Sequence, residues 1–196
     1  ALCTVLVNVA FPDYLSWCNQ AFFMMLIITF GLFSRTLSPM EIRFIIMSFV
    51  IGVGLFMVAI KTDKLFGEFS FGEGLGIKAG EVPILSGLLW LIPAVFSFHF
   101  TQRFSHNSYL RALIGAVFVT VPALFFSYNA PFMDIIHLGE LQPPLTGFLV
   151  WFVGGFLLHF AGHQMQIRME NPMALTLYLI WLGFNIALFS IRLIVR

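Results

Sequence analysis

The sequence predicts an all-α fold, a bundle of transmembrane helices, and three features of its composition support this class. Of 196 residues, 60% are hydrophobic and only 10% are charged, against about 25% charged residues in ordinary soluble domains. Phenylalanine occurs 25 times, and the mean hydropathy is +0.96. The apolar residues form continuous runs, which favour helices over the alternating strands of a barrel. Together these features exclude a soluble domain, a disordered chain and a disulfide-stapled secreted domain.

Six apolar stretches are long enough to cross a bilayer, since a spanning helix needs about 20 apolar residues. We predict spans at about residues 17–34, 41–60, 83–100, 109–128, 144–163 and 172–195. Pro83 suits the first turn of the third span, and Pro122 is expected to kink the fourth. Residues 1–11 are also apolar and are interpreted as the end of a partial seventh span, so we expect the chain to continue upstream of Ala1. No repeat or composition shift divides the chain, so we predict a single transmembrane domain over residues 1–196.

Neither the cysteines nor the N-terminal residues indicate a secreted protein. Cys3 and Cys18 stand among apolar residues, and we interpret both as small buried hydrophobes, with a disulfide as the less favoured alternative. No basic segment precedes an apolar stretch, so no signal peptide is expected.

Two of the predicted connections are long, at residues 61–82 and 129–143, and an alternating thread places both at the same membrane face, here called face one. Seven of the nine carboxylates fall on face one: Asp13, Asp63, Glu68, Glu73, Glu81, Asp134 and Glu140. Five basic residues accompany them: Lys61, Lys64, Lys78, Arg192 and Arg196. The opposite face, face two, carries five arginines and two glutamates: Arg35, Arg43, Arg103, Arg111, Arg168, Glu41 and Glu170.

The distribution of basic residues bears on membrane orientation. Counts of Lys and Arg are equal on the two faces, but the short, arginine-only connections favour face two as the cytoplasmic side. We expect a multi-pass integral membrane protein of a bacterial or archaeal cell membrane. No basic run suggests nucleic-acid binding, and membrane lipids are the expected surroundings.

The first long connection is rich in glycine and phenylalanine. Between Phe66 and Pro83 the glycines alternate with aromatic residues, but no Lys-Ser/Thr pair follows, so a phosphate-binding glycine loop is rejected. We predict an extended or re-entrant segment packed on the bundle, where protein covers its backbone. Its glycines permit positive φ angles and the close approach of an elongated apolar ligand.

Asp134, in the second long connection, is the carboxylate with the most apolar neighbours. It follows Pro131, Phe132 and Met133, and partial removal from water equips a carboxylic acid to donate a proton near neutral pH. A helix-end cap is the alternative interpretation. His137 shares this connection with Asp134 and Glu140, which makes it the histidine of most interest.

The remaining polar and aromatic side chains have simpler interpretations. His159 and His163 are spaced to share one helix face and to ligate a metal, but no third ligand is evident. His99 and His106 are interpreted as interfacial residues. Trp17, Trp90, Trp151 and Trp181 lie within or at the ends of predicted spans, and those at the ends fit an aromatic belt.

An ordered set of motifs resembles a family of integral-membrane carotenoid-biosynthesis proteins, the carotenoid 1,2-hydratase and bisanhydrobacterioruberin hydratase type. The matching residues are Phe66-Gly67, Phe69, Phe71, Leu75-Gly76, Val82-Pro83 and Trp90, then Met133-Asp134, Pro144-Leu145, Phe148 and Trp151-Phe152. The resemblance covers roughly residues 50–160. It departs where the family has an acidic residue, here Phe56 or Ala59, and where it has two tyrosines, here Phe69 and Phe71. The segment between Asp134 and Pro144 is also shorter than in the family.

The resemblance implies acid-catalysed hydration of the terminal double bond of an acyclic carotenoid, without a redox cofactor or a metal. Asp134 is then the expected acid, with Asp63, Glu68 and Glu73 as further candidates to hold water or balance a cation. The expected substrate-binding side chains are Phe66, Phe69, Phe71, Trp90, Phe148 and Trp151, whose aromatic faces would stabilise a tertiary cation.

Two other functions stay open from the sequence. The lost hydroxyls and the lost acid favour a carotenoid- or lipid-binding subunit of a larger membrane complex, with other membrane subunits as partners. A small transporter is less favoured, because no internal repeat and no acid in a span centre are evident.

Overall fold

The computed structural model describes residues 14–35, 37–139 and 143–195, and it is a helical bundle. Six helical segments in these ranges are long and apolar enough to cross a membrane, the third only when the 3₁₀ turn Ile84–Ser86 is counted with its α-helix. The helices are α1 Leu15–Phe33, α2 Pro39–Thr62, α3 Gly87–Thr101, α4 Ser108–Asn129, α5 Leu145–Gln164 and α6 Ala174–Val195. The all-α fold class and the six predicted spans are therefore confirmed, with boundaries that differ by a few residues. The predicted partial span at residues 1–11 lies outside the described residues.

Local capping explains where several helices begin and end. The Ser38 side chain accepts a hydrogen bond from the Glu41 backbone N–H, and Glu41 Oε2 accepts from Ser38 N at 2.5 Å, which forms a capping box ahead of α2. Asp63 ends α2 in the left-handed conformation, with φ 52°. Asn107 Oδ1 accepts from the N–H of Tyr109 at the start of α4.

Helix α3 is the centre of the bundle. All of its residues are buried, and a short 3₁₀ turn, Ile84–Ser86, leads into it. The surrounding helices bury one stripe and leave apolar side chains outside, as expected for a helix that faces lipid. Two glycines let α2 and α5 pack closely against Trp90 of α3. A Cβ on Gly52 of α2 would lie 2.8 Å from Trp90 Cβ, and a Cβ on Gly154 of α5 would lie 2.5 Å from Trp90 Cη2.

The two long connections meet at one end of the bundle. Strand β1, Phe69–Phe71, pairs antiparallel with β4, Ile136–Leu138, and the β1–β4 pair is here called the ribbon. A second short hairpin joins β2, Lys78–Ala79, to β3, Val82–Pro83. The placement of both connections at one face and the extended conformation of the first are therefore confirmed. Phe69 and Phe71 are buried while Ser70 between them is exposed, so the ribbon has one inner and one outer side.

The exposure of Cys18 and the prolines inside two helices bear on the sequence-based expectations. Cys18 is a free thiol on the exposed side of α1, so its predicted burial was wrong. The lipid-facing side of a helix uses the same residue types as its buried side, so local hydropathy does not tell a lipid-facing position from a core position. Cys3 lies outside the described residues. Helix α4 continues through Pro122, and α3 contains a second internal proline, Pro93, that the sequence reading did not single out.

Candidate functional site

An aromatic cluster lies beneath the ribbon. It consists of six side chains from α2, the first long connection, α3 and α5: Phe56, Phe66, Phe69, Phe71, Trp90 and Trp151. Phe56 is central, with its ring centroid 5.3 Å from that of Phe71 and 5.5 Å from that of Phe66. Edge-to-face and tilted contacts of this kind are favourable geometries for aromatic pairs.

Two tryptophans form the floor of this cluster. The rings of Trp90 and Trp151 are stacked, with centroids 4.1 Å apart and planes 18° from parallel. Trp90 is fully buried, and its Nε1 has no hydrogen-bond partner among the described residues. The two stacked rings thus form an apolar base for the aromatic cluster.

A narrow pocket opens beside the cluster, between α2, α4, α5 and the ribbon. Four of the predicted substrate-binding side chains line it: Phe66, Phe69, Phe148 and Trp151. Phe71 and Trp90 stand behind them, in ring contact with Phe56 and Trp151. The free interior measures about 30 Å³. Within the described residues, no charged side chain lines this pocket, and its one hydroxyl, on Ser127, donates to the Ala123 carbonyl oxygen of its own helix.

The sequence did not indicate that side chains of α4 and β4 line one wall of this pocket. Phe126 and Ser127 come from α4, and Ile136 and Leu138 come from the inner side of β4. The alternation of Ile136 and Leu138 about an exposed His137 was a usable signal for a strand, but three residues are too few for periodicity to identify one reliably.

Asp134 lies on the outer side of the ribbon, where it ties the two long connections together. Its Oδ2 accepts from the Glu73 backbone N–H at 3.1 Å, and its Oδ1 lies 2.9 Å from His137 Nε2. Its backbone oxygen accepts from Gly74 N at 2.7 Å. The side chain is 41% exposed, so it is half-buried as expected. It does not cap α4, which ends at Asn129 with Ala130 as its cap residue.

Gly72 shows how closely the two connections meet. A Cβ at this position would lie 2.3 Å from both the backbone oxygen and Oδ1 of Asp134. Positive φ angles occur at Gly67 and Gly76, as the sequence indicated for this loop. Gly72 therefore permits the close approach of the second connection.

Among the described residues, none of the four proposed catalytic acids lines the pocket, Asp134 included. Asp63 is exposed at the end of α2, and Glu68 is exposed with only its backbone oxygen bonded, to Gly139 N at 2.8 Å. Glu73 forms an ion pair with Lys78 at 2.8 Å. Of the four proposed catalytic acids, only Asp134 and Glu73 are brought together. Glu140 and Asp13 lie outside the described residues.

At face two, the structure separates the roles of the two α5 histidines. His159 is fully buried, with Nε2 3.0 Å from Ser97 Oγ and Nδ1 2.9 Å from the Gly155 carbonyl oxygen, so both ring nitrogens are occupied. His163 lies beside a large cavity whose lining includes four arginines from predicted face two: Arg35, Arg103, Arg111 and Arg168. The sequence placed these arginines at one face but gave no sign of a cavity.

Comparison with known proteins adds no relative: no family model, no curated protein and no solved structure matches this chain. The resemblance to carotenoid-biosynthesis proteins accordingly stays a prediction.

Proposed function

We propose that this protein binds the end of a long apolar isoprenoid, such as an acyclic carotenoid, in the pocket beside the aromatic cluster. The observation that carries the proposal is the lining: aromatic rings and aliphatic side chains, with no charged group among the described residues. The pocket also lies within a bundle of helices that are apolar enough to span a membrane, where such a ligand is dissolved.

The physical basis is dispersion and ring-face contact. Each carbon–carbon contact is weak, but a conjugated or methyl-branched chain that lies against several rings makes many of them. The free interior of about 30 Å³ is far smaller than the roughly 300–1,000 Å³ of usual ligand pockets. An isopropylidene end group therefore enters only when a lining side chain moves, and Phe148 is the half-buried ring available to do so.

Pigment co-purification tests this proposal. The full chain, expressed in a host that makes acyclic carotenes and purified in a mild detergent, is expected to carry close to one pigment per chain. Ser127→Leu fills the pocket with an apolar side chain, so the bound pigment should fall to a small fraction. Ser190→Leu is the matched control, because Ser190 makes the same type of hydroxyl contact within its own helix, to the Ile186 oxygen, at an exposed position on α6. Equal pigment in both variants would contradict the proposal, and co-purifying membrane proteins would identify a larger complex.

Hydration of a terminal double bond is the second candidate. It is supported by the motif resemblance, which makes Asp134 the acid; Asp134 itself does not line the pocket, so the terminal double bond would have to reach the outer side of the ribbon. Ile136 lines the pocket while Asp134 and His137, on either side of it in sequence, form a 2.9 Å pair on the outer side of the ribbon. In the proposed step, a carboxylic acid donates its proton to the terminal alkene, and a tertiary cation forms against the aromatic faces. Water adds to the cation, and the resulting oxonium returns a proton to the carboxylate, which leaves a tertiary alcohol.

Pigment analysis separates hydration from binding alone. If Asp134 is the acid, wild-type protein should convert acyclic carotenes to hydroxylated products, and Asp134→Asn should lose the product while it retains bound pigment. Full activity in Asp134→Asn would exclude this role. Bound but unchanged pigment in the wild type would leave the binding function and exclude the hydratase.

A further inference from the structure

We propose that the cavity at face two is a binding site for a phosphate group carried by an anionic ligand. This site lies at the end of the bundle opposite the ribbon and does not depend on the isoprenoid pocket. The cavity measures about 880 Å³, within the range of about 300–1,000 Å³ that is usual for ligand sites. It opens between the ends of α1 and α3 and the connection from α5 to α6.

The charges around this cavity are strongly one-sided. Four arginines line it against a single carboxylate, Glu170. Glu170 is already paired with Arg35 at 2.8 Å, and Arg111 Nε donates to the Ser105 backbone oxygen. The guanidinium groups of Arg103 and Arg168 have no ion pair or hydrogen bond with any described residue. The lining thus presents a positive field with two arginines available for a ligand.

Buried donors point to the same chemistry. His163 is only 8% exposed, its ring stacks on Phe98 with centroids 4.7 Å apart, and its Nε2 has no partner within the described chain. Gln102 Nε2 is also buried without a partner, and both side chains line the cavity. A buried polar nitrogen left unpaired costs free energy. After a small side-chain movement a ligand oxygen would pair with Gln102 Nε2, and with His163 Nε2 when that nitrogen carries the ring proton.

The wall of the cavity is held in place without help from a ligand. His99 Nδ1 either donates to the Met169 carbonyl oxygen at 2.7 Å or accepts from Asn171 N at 3.0 Å, according to which ring nitrogen carries the proton. Asn171 Nδ2 donates to the Phe30 carbonyl oxygen at 2.7 Å. These contacts fasten the α5–α6 connection to α1 and α3, so a ligand would meet a preorganised site.

A phosphate group fits this set of donors better than a single carboxylate does. It has several oxygens that accept from guanidinium groups in pairs, while further oxygens accept from His163 and Gln102. The cavity lies at the helix ends, at the depth of lipid headgroups, where basic pockets between transmembrane helices bind anionic headgroups. A lipid phosphate and a soluble phosphate present the same chemistry, and the experiment separates them.

Binding to the purified full-length chain in a non-ionic detergent tests the proposal. Calorimetric titration with inorganic pyrophosphate and, separately, with dihexanoyl phosphatidate should each show saturable binding if the site accepts either source. Binding of phosphatidate alone would identify a lipid-headgroup site, and binding of pyrophosphate alone would identify a soluble-phosphate site. Binding of neither would overturn the proposal, as would equally tight binding of the zwitterion dihexanoyl phosphatidylcholine.

Variants connect the binding to this cavity. Arg103→Gln combined with Arg168→Gln should weaken binding by about tenfold or more, because it removes two charged donors from the lining. Both side chains are exposed, so the fold should persist. Arg43→Gln is the matched control, because Arg43 lies at the same face but does not line the cavity. An equal loss in Arg43→Gln would show a general charge effect and contradict the proposal.

His163→Phe provides the second test, because it preserves an aromatic ring against Phe98 and removes Nε2. It should weaken binding several-fold and leave the thermal unfolding of the ligand-free protein little changed. Unchanged affinity in this variant, together with unchanged affinity in the double arginine variant, would place the anion outside the cavity.

Discussion

At the scale of single residues, Asp134 shows how a side chain picked out for chemistry also has a structural role. Its carboxylate accepts from the Glu73 N–H and lies against His137, and its backbone oxygen accepts from Gly74. The apolar neighbours in the sequence indicated a half-buried acid, which the structure bears out. They did not indicate its partners, because Glu73 and Gly74 are distant in sequence and meet it only through the ribbon.

Loss of the Asp134 carboxylate should loosen the ribbon. Asp134→Ala removes the acceptor for Glu73 N and the partner of His137, so we expect a loss of about 1–2 kcal/mol, or a few degrees in the unfolding midpoint. Thermal unfolding in detergent measures this. Glu68→Ala is the control, since its exposed carboxylate makes no hydrogen bond or ion pair with a described residue, and it should change the midpoint little. A midpoint for Asp134→Ala equal to that of Glu68→Ala would exclude the fastening role.

At the scale of elements, the six helices follow from the sequence because each apolar run approaches the thickness of a bilayer. The central position of α3 does not follow, since its apolar run resembles the others and its burial depends on which helices surround it. The ribbon was equally hidden, because two three-residue strands carry too little pattern. The predicted burial of Cys18 was wrong for a related reason, because apolar residues of a membrane protein face lipid as readily as they face the core.

The same limit applies to the candidate site. The glycine and aromatic pattern singled out Phe66 and Phe69, and the family resemblance added Phe148 and Trp151; the structure brings all four to one pocket. The proposed catalytic acids were assigned to the same site as these rings only because they lie in the same connections of the sequence. Alternation along β1 and β4 turns the apolar side chains inward and the polar ones outward, so the rings and the carboxylates lie on opposite sides of the ribbon.

The fit of α3 against its neighbours depends on small residues, and this gives a prediction for the element. Gly154→Val places a branched side chain where a Cβ would already lie 2.5 Å from the Trp90 ring. We expect a loss of about 1–3 kcal/mol from overpacking, together with a changed tryptophan emission spectrum as the Trp90–Trp151 stack is displaced. Gly183→Val on α6 meets no atom within 4 Å and should leave both quantities nearly unchanged. Identical behaviour of the two variants would argue against the central position of Trp90.

At the scale of the whole molecule, the two faces differ in chemistry, and their orientation can be measured. In a chain with Cys3→Ser and Cys18→Ser, either Ser70→Cys at face one or His106→Cys at face two supplies a single thiol at an exposed site. We predict that a membrane-impermeant maleimide labels Ser70→Cys from outside intact cells and labels His106→Cys only after the cells are opened. The reverse pattern would show that face one is cytoplasmic, and labelling of both from outside would contradict the alternating thread.

The central claim, that an isoprenoid end group occupies the pocket beside the aromatic cluster, is tested most directly by photo-crosslinking. The purified protein is irradiated with an acyclic isoprenoid that carries a terminal diazirine, and the labelled peptides are mapped by mass spectrometry. If the end group occupies the pocket, saturable labelling is expected at Phe148, Trp151 and Ser127. Excess unlabelled isoprenoid should suppress this labelling, and Ser127→Leu should abolish it. Labelling confined to lipid-facing residues such as Ile28 and Leu179, unaffected by competitor or by Ser127→Leu, would contradict the central claim.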